Sequence, residues 1–130
     1  MRLLLDSNIF IEVVVRDDRH LKRQIRIHKD RIALSAIVLF ELHADAHNIR
    51  RRGKQQEFLD SLGMPLLPFG DSDARAAGEI RAELKRKGTP IGPYDLLIAG
   101  QARARGLTVV TRNVGEFRRV EGLKVEAWAG

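Results

Sequence analysis

The chain has 130 residues, a mass of 14.7 kDa and a net charge of +6, from 23 Lys and Arg against 17 Asp and Glu. This length predicts one domain, residues 1–130, and excludes neither an enzyme nor a binding module. The absence of cysteine excludes disulfide scaffolds, thiol catalysis and Cys-based zinc sites, but not metals that prefer oxygen ligands. A pI near 10.3 favours an acidic partner such as nucleic acid.

In the first half of the chain, short apolar runs alternate with helical patterns. Strands are predicted at residues 3–5 and 32–34, and a two-residue edge strand at 66–67 lies between prolines. Helices are predicted after Asp6, over 18–29, and after Ser35. We expect the helix after Ser35 to fade into the basic run 50–52, and a separate short helix at 55–62.

The second half continues the alternation. A helix is predicted from Asp71 to a stop at Gly88, and another from Pro93 to a stop at Gly106. A buried strand at 107–110 follows, and then a last strand in which Leu123, Val125 and Ala127 face the core. In that alternation Lys124, Glu126 and Trp128 take the other face. Strands separated by helices predict an α/β fold with a parallel sheet, whose ligands bind at the carboxyl ends of the strands.

Three acidic residues are poorly explained by a structural role. Asp6 directly follows the first strand, and Asp95 begins a helix beside the apolar Ile98 and Ala99. The helical neighbours of Glu41 are mostly apolar, which predicts that its carboxylate lies on the face that packs against the sheet. Burying an unpaired carboxylate costs several kcal/mol, so each needs a cation or strong donors. Helix capping, a buried salt bridge and the helix dipole remain open as structural explanations.

A divalent cation would remove the repulsion between these acids, and oxygen ligands select Mg²⁺ or Mn²⁺. A further ligand is expected after the strand at 107–110, where Asn113 offers a carbonyl oxygen and Glu116 a carboxylate. Spacing does not decide between those two. Three polar residues are candidates to hold water or orient ligands, or are ordinary cap and turn residues: Ser7, Asn8 and Thr111.

Other kinds of site have little support. His43 and His47 have a spacing that zinc can use on a helix, but Ala44 stands where a zinc protease needs Glu. The chain has no G-x-G-x-x-G, Walker or G-x-S-x-G motif. The N-terminal apolar stretch is too short for a signal peptide and no apolar run approaches the roughly 20 residues of a membrane span, so we expect a cytoplasmic protein without a membrane partner.

Taken together, these motifs resemble a PIN domain of the VapC toxin type, over almost the whole chain. The matching stretches are Leu-Asp-Ser-Asn at 5–8, 35–42 with its Glu-Leu, Ile-Gly-Pro-Tyr-Asp at 91–95 with 98–99, and 110–113 with 116–117. The tail from 119 to 128 is a weaker match. The resemblance implies about five parallel strands flanked by helices, and an Mg²⁺ or Mn²⁺ site built from Asp6, Glu41 and Asp95. Asn113 and Glu116 remain alternatives for its fourth member.

The implied activity is endoribonuclease cleavage of RNA by metal-activated water, with Asp6, Glu41, Asp95 and Glu116 as catalytic residues. The resemblance also implies the toxin half of a type II toxin–antitoxin pair. Its partners would be a cognate antitoxin, a second copy in a homodimer, and operator DNA bound only through the antitoxin.

Basic clusters at 50–54, 85–87, 103–105 and 112 are candidates to hold RNA phosphates, or are solvated helix faces. Arg112 is the best candidate for a substrate contact, because it adjoins Asn113. Two alternatives remain: a PIN-like module that binds RNA or protein without cleaving, and a metal-dependent DNA nuclease of related fold.

Overall fold

The structure is a computed structural model and describes residues 2–128. One five-stranded sheet runs through the molecule, with the strands β1 Leu3–Leu5, β2 Ile32–Ser35, β3 Leu66–Leu67, β4 Thr108–Thr111 and β5 Lys124–Ala127. The helices are α1 Ser7–Val14, α2 Arg19–Ile27, α3 Ala36–Asp45, α4 Ile49–Leu62, α5 Asp71–Lys87, α6 Pro93–Arg105 and α7 Val114–Phe117. A 3-10 turn at Lys29–Arg31 leads into β2.

The strand order is β3-β2-β1-β4-β5 and all neighbouring strands are parallel. Leu3 of β1 lies opposite Ile32 of β2 on one side and Thr108 of β4 on the other. The three central strands are buried throughout, as expected of strands that helices cover on both faces. The predicted α/β fold with a five-stranded parallel sheet is confirmed.

The tightest helix pair is α5 against α6, where Gly100 of α6 meets Ala77 of α5. A Cβ atom placed on Gly100 would lie 2.6 Å from the Cβ of Ala77, closer than real contacts allow. The glycine therefore lets the two helices approach each other closely, and this fixes α6 and the Asp95 that it carries.

Two predictions about the first half and the C-terminus are wrong. The helix after Ser35 ends at Asp45, and α4 begins at Ile49, so the basic run at 50–52 belongs to the start of a 14-residue helix. The cause is local, because the Asn48 side chain accepts a hydrogen bond of 2.8 Å from the backbone of Arg51 and caps the new helix.

The last strand keeps its alternation only in part. Val125 is half-buried while Lys124, Glu126 and Ala127 are exposed. Trp128, expected on the outer face, is buried and packs its ring 5.0 Å from that of His28. The backbone N–H of Trp128 still donates to the carbonyl of Thr111, and its indole N–H donates a 3.1 Å hydrogen bond to the Glu126 carboxylate, so Trp128 keeps the face of Glu126. It is buried because the His28 ring lies against it on that face.

The two edges of the sheet differ. At one edge, β3 is two residues long and lies between Pro65 and Pro68, as predicted. At the other edge, β5 exposes Lys124 and Glu126. Within residues 2–128, no helix combines the length and the apolar character that crossing a membrane requires.

Candidate active site

The carboxyl ends of the central strands bring together side chains from distant parts of the chain. Asp6 follows β1, is 3% exposed, and caps α1 by accepting a 3.3 Å hydrogen bond from the backbone N–H of Ile9. Its other carboxylate oxygen accepts a 2.5 Å hydrogen bond from the hydroxyl of Thr111, the last residue of β4. Asp6 is therefore held from both sides at the centre of this edge.

Glu41 reaches the same edge from α3. The buried face of α3 runs through Val38 and Leu42, and Glu41 lies half-buried at the margin of this face. The Ser7 hydroxyl donates a hydrogen bond to its carboxylate. Its Oε1 atom is enclosed and has no hydrogen-bond partner among residues 2–128. A buried carboxylate oxygen without a donor is a candidate ligand for a cation.

Asp95, in the first turn of α6, meets Glu116 of α7. Burial, a hydrogen bond with Glu116 and the negative charges of Glu116, Asp6 and Glu41 together raise the pKa of Asp95 to about 7. Burial is the largest of these causes. Two carboxyl groups in hydrogen-bond contact share one proton, because both cannot be ionised at little cost.

The pKa values of the other two acids, Asp6 and Glu41, are also raised. Burial raises the pKa of Asp6, although hydrogen bonds from Thr111, Ile9 and Asn8 oppose the shift. Burial also raises the pKa of Glu41, and the charge of Asp6 adds to it. The structure thus brings four of the candidate residues into one electrostatic group, namely Asp6, Glu41, Asp95 and Glu116.

The donor set of this group fits a hard divalent cation. All four groups are carboxylates, the ligands that Mg²⁺ and Mn²⁺ prefer, and the unpartnered Oε1 of Glu41 is available as a ligand. As they now stand, no three acidic or histidine side chains within residues 2–128 are close enough to hold an ion. A bound cation would offset the repulsion among the four carboxylates.

The smaller polar residues near the acids differ in the hydrogen bonds that they make. Ser7 and Thr111 donate through their hydroxyls to Glu41 and Asp6, whereas Asn8 donates to Asp6 only through its backbone N–H. Asn113 precedes α7 with an exposed side chain, and its backbone N–H donates a 3.0 Å hydrogen bond to the Thr111 hydroxyl. Of the two alternatives left open by the sequence, Glu116 is therefore the one in contact with another candidate ligand.

Similarity to known proteins shows the family of the chain. The PIN domain profile matches residues 3–123. The chain belongs to the PIN-domain family. It is 37% identical to the tRNA(fMet)-specific endonuclease VapC of Salmonella typhimurium over 98% of both chains, and 35% identical to ribonuclease VapC2 of Rickettsia felis over 98% of both. Among solved structures, VapBC2 of Rickettsia felis bound to a promoter DNA fragment superposes with a TM-score of 0.87 and 32% identity, covering 99% of this chain and 100% of that one.

Within this PIN domain, Arg112 is held by an acidic residue that the sequence did not single out. Its guanidinium lies 3.3 Å from the carboxylate of Glu12 on α1, and Glu12 also pairs with Arg16 at 3.4 Å. The Arg112 side chain is 40% exposed, so it retains access to solvent. Residues 12 and 112 are far apart in sequence, and no local pattern signals their contact.

The histidine pair does not form a site in this PIN domain. α3 ends at Asp45, so His43 is helical and His47 is not, and the helical spacing assumed for the pair does not exist. Both histidines are exposed. A second residue missed by the sequence reasoning is Gln101, a fully buried polar side chain in the small, apolar stretch 98–102 of α6. A polar residue among such neighbours is itself a signal that it has a partner.

Proposed function

We propose that the chain is the endoribonuclease toxin of a type II toxin–antitoxin pair, and that it cleaves RNA with the help of Mg²⁺ or Mn²⁺. The observation that carries the proposal is the convergence of Asp6, Glu41, Asp95 and Glu116 at the carboxyl edge of the sheet, with the pKa of Asp95 raised to about 7. A protein gains nothing in stability from four carboxylates in one place, so the cluster supports a cation-dependent chemistry.

In this proposal Asp6, Glu41 and Asp95 hold the ion, Glu116 completes the set, and Asn113 has no direct role. Bound Mg²⁺ or Mn²⁺ would activate a water for attack on a phosphodiester and stabilise the charge that develops on the phosphate. Thr111 and the backbone of Asn8 orient Asp6, while Ser7 orients Glu41. The raised pKa of Asp95 makes the Asp95–Glu116 pair able to keep or release a proton near neutral pH.

We propose RNA as the substrate and Arg112 as a contact to its phosphates. The guanidinium of Arg112 pairs with Glu12 but is 40% exposed, and Arg112 directly follows Thr111, whose hydroxyl donates to Asp6. Because a relative from Salmonella typhimurium is named as a tRNA(fMet)-specific endonuclease, tRNA is the first RNA to test.

The test is a cleavage assay of the purified, antitoxin-free protein on total cellular RNA and on tRNA, with Mg²⁺ or Mn²⁺ and with EDTA. We expect discrete fragments that disappear in EDTA and in Asp95→Asn. Asp60→Asn is the matched control, because it makes the same chemical change on the exposed surface of α4 and should leave cleavage intact.

Three results would contradict the proposal in different ways. Fragments that persist in EDTA would exclude metal dependence. Tight RNA binding without cleavage in any metal would make the chain a non-cleaving PIN-like module. Cleavage of a DNA hairpin in preference to the matched RNA hairpin would make it a DNA nuclease.

The proposed partners are a cognate antitoxin, operator DNA reached only through that antitoxin, and a second copy of the chain, all in the cytoplasm. Similar structures from Rickettsia felis and Salmonella typhimurium are VapBC complexes bound to DNA. For the homodimer we propose the surface around Phe40 and Tyr94, whose rings are 52% and 45% exposed and lie 5.5 Å apart. Sedimentation should show that Phe40→Ser dissociates the dimer whereas Ile49→Ser, at an apolar and more exposed position on α4 (86%), does not.

A further inference from the structure

Gln101 forms a buried polar bridge between the two helices that carry Glu41 and Asp95. Its carbonyl oxygen accepts a 2.5 Å hydrogen bond from the hydroxyl of Ser35, and both side chains are fully buried. Its amide nitrogen donates to the backbone carbonyls of Leu67 and Pro68, each at 3.2 Å. The side-chain amide of Gln101 therefore accepts through its oxygen and donates through its NH₂ group at the same time.

These contacts leave the amide only one orientation. If the amide were reversed, its oxygen would face two carbonyl oxygens, which donate nothing. Three hydrogen bonds therefore define where the side chain lies, and through it the distance between α6 and the end of β3. A buried network in which each group has a partner is rigid, and its partial loss leaves polar groups without partners.

Ser35 connects the fixed Gln101 side chain to the start of α3. It is the last residue of β2 and the cap of α3, and its hydroxyl accepts a 3.1 Å hydrogen bond from the backbone N–H of Ile37 while donating to Gln101. Glu41 lies on the same ten-residue helix, and Asp95 lies on α6 together with Gln101. One amide therefore links the starting point of α3 to α6, 66 residues away in sequence.

We propose that Gln101 is a positioning residue, which sets the separation of Glu41 and Asp95 through Ser35 and so controls how tightly the acidic site binds a divalent cation. The inference rests on the proposed function for its link to cleavage, but the affinity for the ion is measurable without RNA. Gln101 does not touch the ion or the substrate.

The test compares Mn²⁺ binding, measured by electron paramagnetic resonance, in the intact chain and in Gln101→Met, which keeps the side-chain size and removes the hydrogen bonds. Replacing a group that orients a metal ligand typically lowers the affinity for the metal by about 10- to 100-fold. We expect the Kd for Mn²⁺ to be about tenfold higher in Gln101→Met. In cleavage assays kcat should fall by a similar factor while KM for RNA changes less than about twofold, because the RNA-binding surface is unaltered.

The control is Leu59→Ala on α4, a buried position away from the acids that lowers stability by removing packing. At a temperature where both variants are folded, Leu59→Ala should bind Mn²⁺ as the intact chain does. If Gln101→Met lowers the melting temperature like Leu59→Ala and keeps the Mn²⁺ Kd unchanged, Gln101 is merely structural and the inference fails.

A second variant, Ser35→Gly, tests the route of the effect, since glycine is a tolerated helix cap but carries no hydroxyl. It should weaken Mn²⁺ binding, and the double variant should be no weaker than Gln101→Met alone. Additive losses would overturn the proposed route through Ser35. A chain that binds Mn²⁺ but leaves all RNA intact would contradict the proposed function alone, while the affinities still decide the role of Gln101.

Discussion

Asp95 makes the stability of the cation-free protein depend on pH. Its pKa is about 7 in the folded chain against an ordinary value of 3.8, so the folded state binds the proton more tightly than the unfolded state. The contribution of Asp95 to the free energy of unfolding is therefore fully present below about pH 4, and it is lost as pH rises towards 7. The raised pKa values of Asp6 and Glu41 act in the same direction.

We expect the melting temperature in EDTA to fall between pH 5 and pH 8, and to fall less in Asp95→Asn, whose amide carries no charge. Differential scanning fluorimetry across this range measures both. Asp60→Asn should follow the intact chain. Parallel curves for the intact chain and Asp95→Asn would show that Asp95 titrates normally.

Glu116 and Asn113 should differ sharply as ligands. Glu116→Gln removes a carboxylate that contacts Asp95, and we expect Mn²⁺ affinity to fall by at least tenfold, whereas Asn113→Ala should change it less than threefold. Isothermal titration with Mn²⁺ compares the two. The reverse order would return Asn113 to the site and assign Glu116 to proton binding alone.

At the scale of elements, the contact of α5 with α6 can be tested with two glycines. Gly100→Ala would place a methyl group 2.6 Å from the Cβ of Ala77, and overpacking of this kind costs about 1–3 kcal/mol. Gly78→Ala, on α5 with no atom within 4 Å of the new methyl, should instead stabilise the helix by up to about 1 kcal/mol. Urea unfolding measures both changes, and equal effects would contradict the close approach at Gly100.

The elements themselves were largely predictable from the sequence because each follows a local rule. Apolar runs identified β1, β2 and β4, and glycines at 88 and 106 ended α5 and α6 where expected. The start of α4 was missed because its cap, Asn48, comes immediately before a basic run without apolar periodicity. The four-residue helix α7 is too short to produce a periodic pattern at all.

The candidate site was predictable in its members but not in its contacts. Asp6, Glu41 and Asp95 stood out as acids without a structural reason, each in its own segment. The pairs Asp95–Glu116, Glu12–Arg112 and Ser35–Gln101 join different elements, and only the three-dimensional arrangement of the sheet and helices reveals them.

At the scale of the whole molecule, the positive charge is unevenly neutralised. On α5 and α6, acids pair with Arg75, Lys87, Arg103 and Arg105. Three other basic residues of α5 have no ion pair within residues 2–128, namely Arg81, Lys85 and Arg86. On α4, Arg51 pairs with Asp45, while for Arg50 and Arg52 no ion pair is found within the described part of the chain, residues 2–128. Their exposed side chains are therefore available to phosphates.

Replacing Arg50 and Arg52 together by Gln should weaken RNA binding and lower the slope of log K against log salt concentration by about 1.4, since each phosphate contact on a single strand contributes about 0.7. Fluorescence anisotropy at several salt concentrations measures the slope. Arg75→Gln removes a cation that already has a partner in Asp71 and is the control. An unchanged slope in the double variant would place the RNA on another face.

The unequal edges of the sheet limit how a partner can attach. A partner that adds a strand needs a row of free backbone groups, but β3 offers two residues between prolines, and the carbonyl of Leu67 is already bonded to Gln101. Among the strands found in residues 2–128, the edge that is open to backbone pairing with another chain is therefore β5, next to Lys124 and Glu126. A partner that binds elsewhere on the molecule cannot extend the sheet, so surface substitutions can change the choice of partner without disturbing the strands.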